Sequence, residues 1–175
     1  MSTQNNLFMQ IGKKQLFKKG DYIFRQGDID SNIYFIKSGL LKAYYLTGDG
    51  KEFVKSFLDV GELIGSIRSA SKNIPCYFNV VCLEDTEVAS VSFDELLNQS
   101  KADIENALVL IDSLIELSAK KEKREYEFLC LSAQERYDVL QTERPELLKR
   151  ISLNDTAKYL GITAIALSRI RKRMG

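Results

Sequence analysis

Ala157, Gly161 and Leu167 stand at the separations a helix-turn-helix requires: a small residue where two helices touch, a turn-former between them, and an apolar anchor on the second helix. The chemistry such a unit implies is hydrogen bonding to the base edges and phosphates of DNA, not the making of bonds. Ser152 is placed to cap the first helix, with Asp155 favouring its positive end, and that helix runs to about Leu160. Gly161 supplies the tight exit without a Cβ, Ile162 plugs the turn, and Thr163 caps the second helix. Burying Leu167 and Ile170 turns Thr163, Ala164, Ile165, Ser168, Arg169 and Lys172 outward, toward a major groove.

Charge gives a separate argument. The chain as a whole carries a formal +1, yet Lys149, Arg150, Lys158, Arg169, Arg171, Lys172 and Arg173 face the single acid Asp155 after position 148. This end therefore holds about +6 and the remainder about −5, the division expected of a basic module on a mildly acidic body. Arg169 is the candidate for base-edge readout, with Thr163, Ile165 and Ser168 beside it; Lys158, Arg171, Lys172 and Arg173 are candidates for phosphate contacts. Cations that only complement a helix dipole would leave the Ala157, Gly161, Leu167 spacing unexplained.

Composition removes other classes. There is no histidine, and Cys76, Cys82 and Cys130 are too few and too scattered for a disulfide framework or a metal cage. Ser-His and Cys-His catalysis, histidine-ligated haem and metal-histidine chemistry all fall away, so no enzyme is expected. No apolar run approaches the roughly 18 residues of a membrane span, and Met1 to Ile11 lacks the order of a secretion signal. The expected location is cytoplasmic, with no membrane partner.

The elements that must position the basic end read in two periods. From Leu16 to Ser92, glycine-containing turns such as Gly20-Asp21, Ser38-Gly39 and Gly48-Asp49-Gly50 separate runs rich in Val, Ile, Phe and Tyr. Asn32 to Lys37, Leu40 to Leu46, Glu52 to Leu58, Tyr77 to Cys82 and Thr86 to Ser92 are the expected strands of a sandwich or jelly roll. Beyond them Ser92 and Glu95 form a capping box for a short helix, and Ser100 with Asp103 opens a longer one. Ile104, Ala107, Leu108, Ile111, Leu114, Ile115 and Ser118 make an apolar stripe on that helix, to be covered either by the chain's own β-unit or by the same helix of a second copy. A homodimer would set two heads on a two-fold site, which favours pairing. Ser132 and Glu135 cap a further helix, which Pro145 ends or restarts.

Taken in order, these features resemble the Crp/Fnr family of bacterial transcription regulators. Phe17-Lys18-Lys19-Gly20-Asp21, Ile23 to Asp28 and Tyr34 to Gly39 look like the opening of a cyclic-nucleotide-binding-type domain. Gly61-Glu62-Leu63 resembles the start of its phosphate-binding loop, and Leu160 to Thr163 with Leu167-Ser168-Arg169 its DNA-reading unit. The resemblance implies an α+β chain: a β-roll or jelly-roll sensor over 1–99, a long dimerisation helix over 100–131, and a helix-turn-helix over 132–175. It further implies a small-molecule or nucleotide effector, with Gly61, Glu62, Arg68, Cys76 and Tyr77 as the candidate effector positions. DNA with a near-palindromic site and RNA polymerase are the implied macromolecular partners.

Departures from the family are as informative. Members that bind cyclic AMP hold the ribose with a glutamate, a role Glu62 fits, and the cyclic phosphate with an Arg-Ser pair. Here those two positions carry Cys76 and Tyr77, which cannot fork onto a phosphate and which read otherwise as strand-core residues; Arg68-Ser69 imitates the pair too early in the chain. Cyclic AMP is therefore not the expected effector, and no cofactor is assigned. Ile165 stands where members commonly carry a glutamate, so a thymine methyl replaces cytosine as its expected contact. No sequence remains after the second helix for the β-hairpin wing many members have, which implies fewer phosphate contacts. The alternative reading is a ligand-binding or protein-interaction module whose terminal helices never meet DNA.

Overall fold

The computed structural model describes residues 3–174. Eight strands form two four-stranded antiparallel sheets: β1 (Lys13–Phe17), β2 (Tyr22–Phe24), β3 (Asn32–Ser38), β4 (Leu41–Leu46), β5 (Glu52–Leu58), β6 (Leu63–Ile64), β7 (Asn79–Cys82) and β8 (Thr86–Ser92). One sheet runs β1-β8-β3-β6 and the other β2-β7-β4-β5. The inner faces enclose a core that includes Tyr34, Ile36, Leu41, Ala43, Cys76, Val80 and Val88. The β-roll expected from the glycine turns is thus present. Gly39 shows why one of those turns needs glycine: at φ +97°, a Cβ there would sit 2.8 Å from the Asp85 carbonyl oxygen.

A helix the periodicity does not announce, α1 (Thr3–Ile11), precedes the strands and buries Leu7 and Phe8 against Ile33, Phe35 and Val109. Between β6 and β7 lies α2 (Ile67–Lys72), and α3 (Phe93–Ala102) follows the roll. Ser92 caps α3 by accepting the Glu95 N–H at 3.3 Å, while the Glu95 carboxylate takes the Gln99 amide instead of closing a capping box.

The long helix, α4, spans Ile104–Cys130. Its cap is Asp103, whose extended backbone breaks the helical run. Ser100, expected to open α4, lies inside α3, where its hydroxyl bonds back to the Leu96 carbonyl. The stripe is not covered by the roll: Ile104, Leu108, Ile111, Leu114 and Ile115 are all exposed, and the helix meets the roll through Val109 instead.

The C-terminal helices are α5 (Ala133–Glu143), α6 (Pro145–Arg150), α7 (Leu153–Leu160) and α8 (Ala164–Met174). Ser132 and Glu135 form the full capping box on α5, and Pro145 occupies the first turn of α6, where its missing N–H costs nothing. Met1, Ser2 and Gly175, the ends of the expected spans 1–99 and 132–175, lie outside the described residues.

Candidate DNA interface and effector pocket

Helices α7 and α8 form the helix-turn-helix by the means their sequence implies. Ser152 accepts the Asp155 N–H at 3.0 Å to start α7, and Gly161 ends it at φ +71°. Thr163 then accepts the Ala166 N–H at 3.2 Å to start α8. Ala157, Leu160 and Leu167 are essentially inaccessible and Ile170 is buried. That leaves Thr163, Ile165, Ser168, Arg169 and Lys172 exposed, with Ile165 at 67%. Ile165, Ser168, Arg169 and Lys172 share one helical face, which no other part of the described chain covers. Ala164, expected outward, is half-buried against the head's core. Arg171 and Arg173 are exposed, but Arg171 borders a small cleft lined by Tyr137, Leu148 and Ile151, away from the reading face.

Lys158, expected at a phosphate, meets the roll. Its ammonium donates to Glu52 of β5 at 2.6 Å, so the cation proposed for a phosphate is engaged by the roll. The contact belongs to a seam that sequence reasoning did not find. Leu40, Tyr44, Val54, Phe57 and Val81 on the outer face of the β4 sheet share one core with Leu140, Leu147, Ala157, Leu160 and Leu167 of the head. Ionic contacts cross the same seam. Lys42 donates to Asp155 at 2.9 Å, and Arg150 donates to Asp59 at 2.6 Å and Glu84 at 2.7 Å. Burial pushes the Asp155 carboxyl up, but hydrogen bonds from Lys42 and Ser152 hold it below its ordinary range. Asp59 is also held low by Arg150 against the effect of burial, and the hydrogen bond from Arg150 is the main cause at Glu84. A lysine within the apolar β4 run, Leu41-Lys42-Ala43-Tyr44, was the available signal.

The long helix ties the two units. Lys120 donates to Glu62 at 2.9 Å in the turn after β5, while Arg124 donates to the Tyr159 carbonyl at the end of α7. Arg136 of α5 donates to the neighbouring Leu160 carbonyl at 3.0 Å, so arginines satisfy two carbonyls that a helix end would otherwise leave unpaired. Arg124 also stacks on Tyr159, 3.7 Å from the ring centroid, and on Phe128 at 4.2 Å.

At the effector positions the donor set does not fit a cyclic nucleotide. Glu62 accepts from the Asp59 N–H and from Lys120, with Arg144 3.9 Å away, so its carboxylate is already engaged within the protein. Gly61 serves the turn, at φ +87°, donating its N–H to the Ile36 carbonyl. Cys76 is 1% exposed within the roll's core, and Tyr77 points out beneath Arg68, whose guanidinium carbon lies 4.2 Å from the ring centroid. Beyond chain neighbours, the contact among these five residues is that of Arg68 with Tyr77.

Comparison with known proteins agrees with this architecture. Residues 14–103 match the family described as the cyclic nucleotide-binding domain. Among curated proteins the chain is 25% identical to the transcriptional activator Anr of Pseudomonas aeruginosa over 167 residues, covering 89% of this chain and 68% of that protein. It is 24% identical to the fumarate and nitrate reduction regulatory protein of Escherichia coli K12, covering 93% and 69%. Among solved structures, FixK2 from Bradyrhizobium japonicum superposes with a TM-score of 0.81 at 18% identity, over 94% of this chain and 84% of that one. The regulator CLP from Xanthomonas campestris gives 0.78 at 17% identity, over 98% and 90%. With its β-roll, long helix and helix-turn-helix in this order, the chain belongs to the cyclic nucleotide-binding domain family and, within it, to the Crp/Fnr regulators of transcription.

Proposed function

We propose that the protein is a homodimeric reader of near-palindromic DNA, working in the cytoplasm by binding and not by catalysis. A non-nucleotide signal in its β-roll sets the placement of the two heads. The observation that carries this reading is the free face of α8. Ile165, Ser168, Arg169 and Lys172 stand exposed on a helix whose other side, Leu167 and Ile170, is locked into the head's core. Arg169 reads a base edge, Ile165 a thymine methyl, and Lys172 with Arg173 the phosphates. The exposed stripe of α4 is the surface on which a second copy pairs, which puts the two reading helices in successive major grooves about 34 Å apart. Contact with RNA polymerase follows binding and decides activation or repression.

The test is selection of bound duplexes from a randomised library at two salt concentrations. A palindromic motif whose affinity falls steeply with salt is the expected result. Absence of enrichment, with binding insensitive to salt, would favour a protein-interaction module instead.

A further inference from the structure

The reading head is seated on its own roll by two ionic groups that lie apart from each other. Arg150, the last residue of α6, forks onto both carboxylate oxygens of Glu84, at 2.9 and 2.7 Å, and also reaches Asp59 at 2.6 Å and the Gly39 carbonyl at 3.3 Å. On α7, Asp155 and Lys158 present an acid and a base to the opposite pair on the roll. Lys42 donates to Asp155 at 2.9 Å, and Lys158 donates to Glu52 at 2.6 Å. Arg150 precedes α7 and Lys158 lies in its last turn, so most of an eight-residue helix, about 12 Å long, separates the two groups. The rest of the seam is mainly apolar. Phe57, 1% exposed, meets the ring of Tyr159 with centroids 5.4 Å apart, and its carbonyl accepts from Arg144 at 3.0 Å.

These contributions differ in kind. Apolar burial holds the head against the roll without fixing an orientation, whereas charge pairs set the register of two surfaces. One charged contact would leave a pivot; two, held apart by a helix, leave none. Neighbouring units of a chain move against each other unless the surface between them is extensive and hydrophobic, and here a shared core joins them, so each protomer moves as one body. In a two-fold dimer the separation and relative twist of the reading helices then depend on this seam as well as on α4. We infer that Lys42, Glu52 and Glu84 of the roll are positioning residues for DNA recognition: they fix how many base pairs separate the two half-sites, and leave the choice of bases to α8. This rests on the reading of the protein as a dimeric DNA reader. Adding or removing one base pair moves a half-site by about 3.4 Å and turns it by roughly 35° around the duplex. A head swinging freely on α4 and α5 follows that displacement; a head keyed to its roll does not.

The test is anisotropy titration of the full chain onto the duplex recovered by selection, and onto versions whose central spacer is one or two base pairs longer or shorter. The unaltered protein prefers the best spacer over its neighbours by about tenfold or more, and the variant carrying both Glu52→Ala and Glu84→Ala narrows that preference to about threefold or less. The same variant still discriminates against a half-site with altered bases, a split that mere loss of stability would not produce. Both side chains are partly exposed, so their removal leaves the fold in place; should thermal melting show otherwise, the single variants decide, each giving an intermediate spacer ratio. Glu52→Asp with Glu84→Asp restores part of the preference. Loss of two acids strengthens attraction to every duplex alike, so the ratio between spacers isolates geometry. An unchanged ratio in the folded variants would overturn the inference and give the spacing to α4 and to Arg124 and Arg136 alone. A palindromic motif bound equally at every spacer by the unaltered protein would reject the positioning role and keep the DNA reading, whereas recovery of no motif would reject both.

Discussion

Lys42 of β4 and Asp155 of α7 meet at 2.9 Å across the seam between sensor and reading head, with only 11% and 18% of their side chains exposed. Removing one partner would strand the other charge in a poorly hydrated place, at a cost on the order of 3 kcal/mol. Lys42→Met should therefore lower the urea midpoint, and adding Asp155→Asn should recover part of the loss. Additive losses in the double variant would show that the two residues do not act on each other.

Acid should loosen the same seam. Asp155, Asp59 and Glu84 all hold folded-state values below their unfolded ones, so the stability they confer is present above the unfolded values and is lost as pH falls through the folded ones. That window lies below about pH 4. Stability followed by chemical denaturation from neutral to acid pH should fall there, and Arg150→Ala should flatten the part of the slope due to Asp59 and Glu84. An unchanged slope in Arg150→Ala would remove those pairs from the account.

On DNA, substitutions in the two helices should separate by role. Arg169→Ala should reduce discrimination between the selected motif and random duplex by about 1–3 kcal/mol, whereas Lys172→Ala should weaken both alike. Lys158→Ala should alter unfolding more than DNA affinity, because Glu52 holds that ammonium. Fluorescence anisotropy on specific and random duplexes decides each case, and equal losses on both by Arg169→Ala would deny it a base.

Ile111→Asp should break self-association, since it sets a charge in the middle of the exposed α4 stripe. Sedimentation should show self-association weakened by at least about tenfold, with DNA binding falling in parallel. A variant that stays dimeric would place the interface elsewhere.

Legibility in the sequence followed the locality of the interaction. Glu52–Leu58 and Thr86–Ser92 match their expected strands to the residue, and the caps at Ser132, Ser152 and Thr163 are as read, because each depends on side chains a few positions apart. Ser100 misled because it has a capping side chain but Asp103 has the backbone break as well. The docking of the head on the roll could not be read, since Lys42 and Asp155 are 113 positions apart and each is an ordinary residue within its own element. At the effector positions, sequence spacing linked Glu62 to a ligand, whereas α4 supplies Lys120 to it, a contact visible only once the helix is in place.

Lys120 and Arg124 are one turn apart on α4, a rise of about 6 Å. The helix's grip on the sensor and its grip on the reader therefore lie closer together than the width of a base-paired duplex. No relay of side chains has to carry news between distant ends. A slight roll of the helix about its own axis would shift both grips in the same instant, so a displacement imposed at the roll would arrive at the head as part of the same movement.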